Sequence, residues 1–251
     1  MFAQKSLRLL KVLTVSLSPT ILLFPSWSSQ LRAQSFPQLV VSVQFPKGMD
    51  RGAPNRTAGA GSRGGCPSES AEAPVDSMPM TALMPENNVG TTVAPNPTVY
   101  VYVPKTQDKE AEFRVIDKQA EKVVYQSKFK LPNQTAIVKL SIPTAVELKT
   151  NTDYQWQFYI MCEPENQEQD QMVEGWLERT SLSSEIETKL QEAKQQPLKQ
   201  AKLYADAGVW NETLNIHVQQ RDSEPNEWIK LLDSVGLVGI AQTPIIDCSQ
   251  N

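Results

Sequence analysis

Val99, Val101 and Val103 alternate with Tyr100 and Tyr102 before Pro104 stops the run, which predicts a strand apolar on both faces. Further strands follow over Glu112 to Ile116 and Val123 to Phe129, with a turn at Pro132 and Asn133. The next strand places Ala136, Val138, Leu140 and Ile142 on one side. The clearest alternation puts Tyr154, Trp156, Phe158, Ile160 and Cys162 on one side of a strand and Gln155, Gln157, Tyr159 and Met161 on the other. A last strand runs from Met172 to Arg179. Six short strands separated by turn signals, with no helical period between them, predict an antiparallel β-sandwich of immunoglobulin-like type over residues 98–180.

From Ser181 the period becomes helical. Ser184 and Glu187 suggest a capping box, with Ile186, Leu190 and Ala193 spaced along one helix face. Pro197 ends that helix and starts a second, which Gly208 closes. A third helix is expected from Val209 to Gln220. A fourth starts near Ser223 and Pro225, carries Trp228, Leu231, Leu232 and Val235, and stops at Gly236. Ala201, Tyr204, Gly208 and Pro225 stand at spacings resembling one tetratricopeptide helix pair. A single such unit must pack on the sandwich or on a partner, because isolated repeats are not stable. The expected fold class is therefore α+β, a β-sandwich followed by a helical segment over 181–251.

The start of the chain differs from both parts. Lys5, Arg8 and Lys11 precede an apolar stretch from Val12 to Phe24, interrupted by Pro19, and no acidic residue occurs before Asp50. This pattern predicts a signal peptide over residues 1–33, with cleavage after Ala33. The apolar stretch is shorter than the roughly 20 residues of a membrane-spanning helix, so no membrane insertion is expected after cleavage. No cysteine stands there to carry a lipid. Residues 34–97 then read as a Gly/Pro-rich arm with one strand, Leu39 to Phe45.

Composition narrows the chemistry. Of 251 residues, 40% are hydrophobic and 21% charged, which suits a folded chain rather than a disordered or multispan one. The net charge is -4, and losing Lys5, Arg8, Lys11 and Arg32 with the leader makes it -8. A chain of that sign gives no general attraction to phosphates, so no nucleic-acid partner is expected. The single histidine, His217, lies mid-helix and excludes both a multi-histidine metal site and a catalytic triad built on imidazole. A helix-surface or packing role is expected for it, and neither metal nor cofactor is implied.

Four motifs carry candidate chemistry. Gly59, Gly61 and Gly64 match GxGxxG, but Cys66 and Pro67 follow where a phosphate-cradling helix would open, so they are read as loop glycines. Arg51, Arg56 and Arg63 in the same loop form a basic patch able to bind an anion or a partner, or to pair with acidic residues of the chain itself. Cys66 and Cys162 are expected to form a disulfide tying this loop to the strand that begins at Tyr154. Such a long loop closure contributes about 4 to 5 kcal/mol in the chain-entropy view. Cys248 is left over. Finally, Glu163, Glu165, Glu168, Asp170 and Glu174 cluster around the last two strands, and Trp156, Trp176 and Tyr159 could present a sugar-stacking surface or pack in the core.

The blocks RGAPNRTAGAGSRGGCP, TALMPENNVGTTVAPNPTVYVYVP, AEFRVID, the Tyr154 to Cys162 strand, VEGWLERT and LYADAGVWNETL, taken in order, resemble the cyanobacterial exported proteins grouped as domain of unknown function 928. The resemblance implies a bacterial protein of the periplasm, thylakoid lumen or extracellular space, in which the sequons at Asn55, Asn133 and Asn211 have no meaning. It implies no activity. The expected function is that of an extracytoplasmic binding or scaffolding module of the cell envelope, with an envelope protein or an anionic polysaccharide as partner and no catalytic residue. The alternative is a hydrolase of envelope or extracellular polysaccharide, with Glu174 and Asp170 as acid and base.

Overall fold

The structure is a computed structural model that describes Phe45 and residues 78–106, 110–161 and 170–249. The described residues fall within one compact unit. They form nine strands and four α-helices in a mixed α+β arrangement. The strands are β1 (Thr81–Ala82), β2 (Val89–Thr92), β3 (Thr98–Val103), β4 (Glu110–Asp117), β5 (Lys122–Lys130), β6 (Ala136–Ser141), β7 (Asp153–Ile160), β8 (Gln171–Arg179) and β9 (Ile245–Asp247). The helices are α1 (Ser184–Glu192), α2 (Pro197–Asp206), α3 (Trp210–Gln220) and α4 (Pro225–Ser234), with a 3-10 turn at Val238–Ile240. No helix among the described residues is long and apolar enough to cross a membrane.

Two sheets result. One has four strands in the order β1-β3-β6-β9, the other five in the order β2-β8-β7-β4-β5. The six strands expected from periodicity all form, and their pairings are antiparallel. The sheets also take strands from outside residues 98–180. β1 and β2 come from the stretch assigned to the arm, and β9 comes from the chain end. β2 pairs with β8, and β9 with β6, in parallel. Strands of two to four residues are too short to show a period of two, so pattern alone could not find them.

Alternation sets the core. Tyr154, Trp156, Phe158 and Ile160 of β7 are buried, and they join Phe113, Val115, Val173 and Leu177 of the same sheet in one apolar cluster. That cluster also takes in Val101, Val138 and Leu140 of the other sheet and Trp210, Leu214, Trp228 and Leu231 of α3 and α4. β3 is buried on both faces, as its uninterrupted apolar run requires. Gly175 allows close packing in this core, because a Cβ there would lie 2.8 Å from the Trp156 indole.

α3 is tied to the sheets by polar groups as well as by its apolar side. The Trp210 indole N–H donates to Leu83 O (3.0 Å), Asn211 Nδ2 to Thr98 O (2.9 Å), and the Tyr100 hydroxyl to Asn215 Oδ1 (2.8 Å). Phe45 meets the Trp210 ring edge-on at 5.0 Å. The α2 and α4 stops fall as expected, with Gly208 and Gly236 at φ of +73° and +69°. The α1 start is one residue off the expected capping box: Ser183, in extended conformation, caps the helix by accepting from Ile186 N, and Ser184 is already inside.

Candidate functional site

The buried side of β7 leaves Gln155, Gln157 and Tyr159 on the opposite face of the five-stranded sheet, all half-buried. Register fixes their neighbours. Gln157 stands between Arg114 of β4 and Glu174 of β8, Tyr159 between Glu112 and Met172, and Gln155 between Ile116 and Trp176. Side chains paired in this way are within reach of one another. The outer face therefore gathers polar groups from three adjacent strands.

These groups form one connected chain. The Tyr159 hydroxyl donates to Gln157 Oε1 (2.8 Å), and Gln157 Nε2 donates to Glu174 Oε2 (3.3 Å). Gln155 Nε2 donates to that same oxygen at 2.9 Å. On the other side, the Arg114 guanidinium lies 5.1 Å from the centre of the Tyr159 ring and pairs through Nε with Glu112 Oε1. Lys128 reaches the second oxygen of Glu112 at 3.8 Å. Glu112 is only 3% exposed, a degree of burial that a carboxylate tolerates when paired with cations. Arg114 and Lys128 are both taken up by Glu112, so the face carries an ordered polar network in which Glu174 is held by the two glutamines.

Tyr159 is its electrostatic centre. Burial pushes the phenol above its ordinary value, Arg114 pulls it back, and Glu174, Glu112 and Asp170 push it further up. Three carboxylates thus act on one hydroxyl. Among the described residues no group of three or more His, Cys, Asp or Glu side chains is placed to hold a metal ion.

The expected site residues separate in space. Trp156 belongs to the core and Tyr159 to the outer face, so the proposed three-ring stacking surface does not assemble. Trp176, half-buried, shares the outer face with Tyr159. Glu174 and Asp170 both bear on Tyr159. His217 is buried in α3 with Nδ1 donating to Thr213 O (2.8 Å), which is the packing role and not the helix-surface one. Cys248 is a buried free thiol whose pKa burial raises. Asn211 is 4% exposed and holds Thr98 O, so its sequon offers no accessible amide. Residues 1–44, Arg51, Arg56, Arg63, the three loop glycines, Cys66, Cys162, Glu163, Glu165 and Glu168 lie outside the described residues.

Sequence reasoning overlooked Arg114, Glu112, Gln155 and Gln157. Their signal was present in the polar positions that alternate with the apolar side of β4 and β7, but a solvated strand face has the same alternation. Only the register across strands shows that these positions converge.

The family model described as Domain of Unknown Function (DUF928) matches residues 58–245. No curated protein matches the chain.

Proposed function

This chain belongs to the DUF928 family, and from that membership and the geometry of its sheets we propose that it is an extracytoplasmic binding or scaffolding module of the bacterial cell envelope. The leader-like residues 1–33 support export to the periplasm, thylakoid lumen or medium, and the resemblance supports a cyanobacterial source. In this reading the two sheets enclose the core as an immunoglobulin-like sandwich. α2 and α3 pair through Ala201 and Ala205 in the manner of one tetratricopeptide unit, resting on the sheets instead of on further repeats.

One observation carries the proposal. The outer face of β4, β7 and β8 holds a pre-ordered polar network centred on Tyr159, while α3 is engaged elsewhere, on β2 and β3. Groups already fixed by one another lose little freedom when a ligand arrives, which is the condition for a binding face. Crosslinking of the mature protein in intact cells, followed by mass spectrometric identification, should capture a stoichiometric partner. A protein that captures nothing in its native cells is not a module of this kind.

The hydrolase reading has one observation in its favour, the action of both Glu174 and Asp170 on Tyr159. It requires that Glu174→Gln abolish turnover of a polysaccharide while the fold stays intact. In the binding reading there is no turnover to lose, and the same variant weakens partner capture because Glu174 holds Gln155 and Gln157 in place.

A further inference from the structure

We infer that the outer face of the five-stranded sheet binds an uncharged polysaccharide chain, laid along β7 and β8 between Tyr159 and Trp176. The inference rests on the binding-module reading and specifies its ligand.

Length comes from register. Trp176 stands opposite Gln155, and Tyr159 is four positions further along β7, so the two rings are roughly 13 Å apart along the strand. Gln157 and Glu174 lie between them. The strip is longer than one sugar ring, which suits a chain of linked sugars better than a monosaccharide.

Chemistry comes from what the network leaves open. The Glu174 carboxylate takes one amide proton from each glutamine. Gln155 Oε1, the second N–H of Gln157 and the indole N–H of Trp176 have no partner among the described residues, and the Tyr159 oxygen keeps its acceptor capacity. Donors and acceptors therefore alternate along the strip. A hydroxyl both gives and takes a hydrogen bond, so a row of sugar hydroxyls matches this order where a purely anionic ligand does not. Charge points the same way, since Arg114 and Lys128 are taken up by Glu112 while Glu174 and Asp170 add negative charge beside Tyr159, which disfavours an anionic ligand. Trp176, half-buried, adds ring surface for the apolar faces of the sugars.

Affinity electrophoresis tests this with hydroxyethyl cellulose, galactomannan and dextran as uncharged probes and polygalacturonate as the charged one. The mature protein should be retarded by at least one uncharged polymer. Trp176→Ala and Gln155→Ala should each weaken that retardation about tenfold, with unchanged melting temperature. If Trp176→Ala fails to fold, Gln155→Ala, which removes a half-buried amide, carries the comparison. The inference is overturned if the folded protein is retarded by none of the uncharged polymers, by polygalacturonate alone, or equally in both variants. A protein crosslinked through this face without any retardation removes the polysaccharide and leaves the module reading standing. Failure of both experiments removes both.

Discussion

A methyl group at Gly175 would lie 2.8 Å from three atoms of the Trp156 indole, and Trp156 is fully buried. Neither a core indole nor the β8 backbone can move aside cheaply. Gly175→Ala should therefore destabilise the protein by about 1–3 kcal/mol, read as a clear drop in melting temperature. An unchanged midpoint would mean that the packing is looser than described. His217 gives the second residue-scale prediction. Burial lowers its pKa, against the pull of the Thr213 carbonyl and of Glu227, so the unfolded chain takes up a proton before the folded one does. The stability this site provides is complete above about pH 6.5 and is lost as the pH falls below that value towards the depressed folded pKa. Unfolding titrations across this range should show the slope, and His217→Gln should flatten it. An identical slope in the variant would place the acid sensitivity elsewhere.

Among the elements, α3 is the one whose attachment is most exposed to test. Glu212 Oε1 accepts from the Thr92 hydroxyl (2.7 Å) and from the backbone N–H groups of Val93 and Ala94 (both 3.1 Å), holding the turn after β2 against the helix. Hydrogen bonds to a charged acceptor are the stronger kind, so Glu212→Ala should cost about 2–3 kcal/mol in denaturant unfolding. A cost below about 0.5 kcal/mol would mean that the turn holds without it. β7 was legible because eight residues alternate without interruption, and α2 and α4 because proline and glycine mark their ends. β1, β2 and β9 were not, because two to four residues carry no period and their partners are far away in sequence. The outer-face network escaped for a different reason. Gln155 and Gln157 look like ordinary solvated positions until register sets them beside Glu174 and Arg114.

At the scale of the molecule, sheets and helices share one core, and the chain end returns as β9 beside β6, with Lys139 pairing Asp247 at 2.8 Å. A chain ending at Thr180 loses β9 and the Trp210 and Trp228 side chains from that core. It should show no cooperative melting, in contrast to the full chain. A sharp transition in the shortened chain would mean that the sheets are an independent domain. The central claim is that the outer face of β4, β7 and β8 is the surface through which this protein works. The most direct measurement places a photo-crosslinking residue at Gln157 on that face and, separately, at Lys194 beside the open groove between α1 and α2, then illuminates intact cells. The account predicts a defined adduct from position 157 and none from 194. Capture from 194 alone would contradict it.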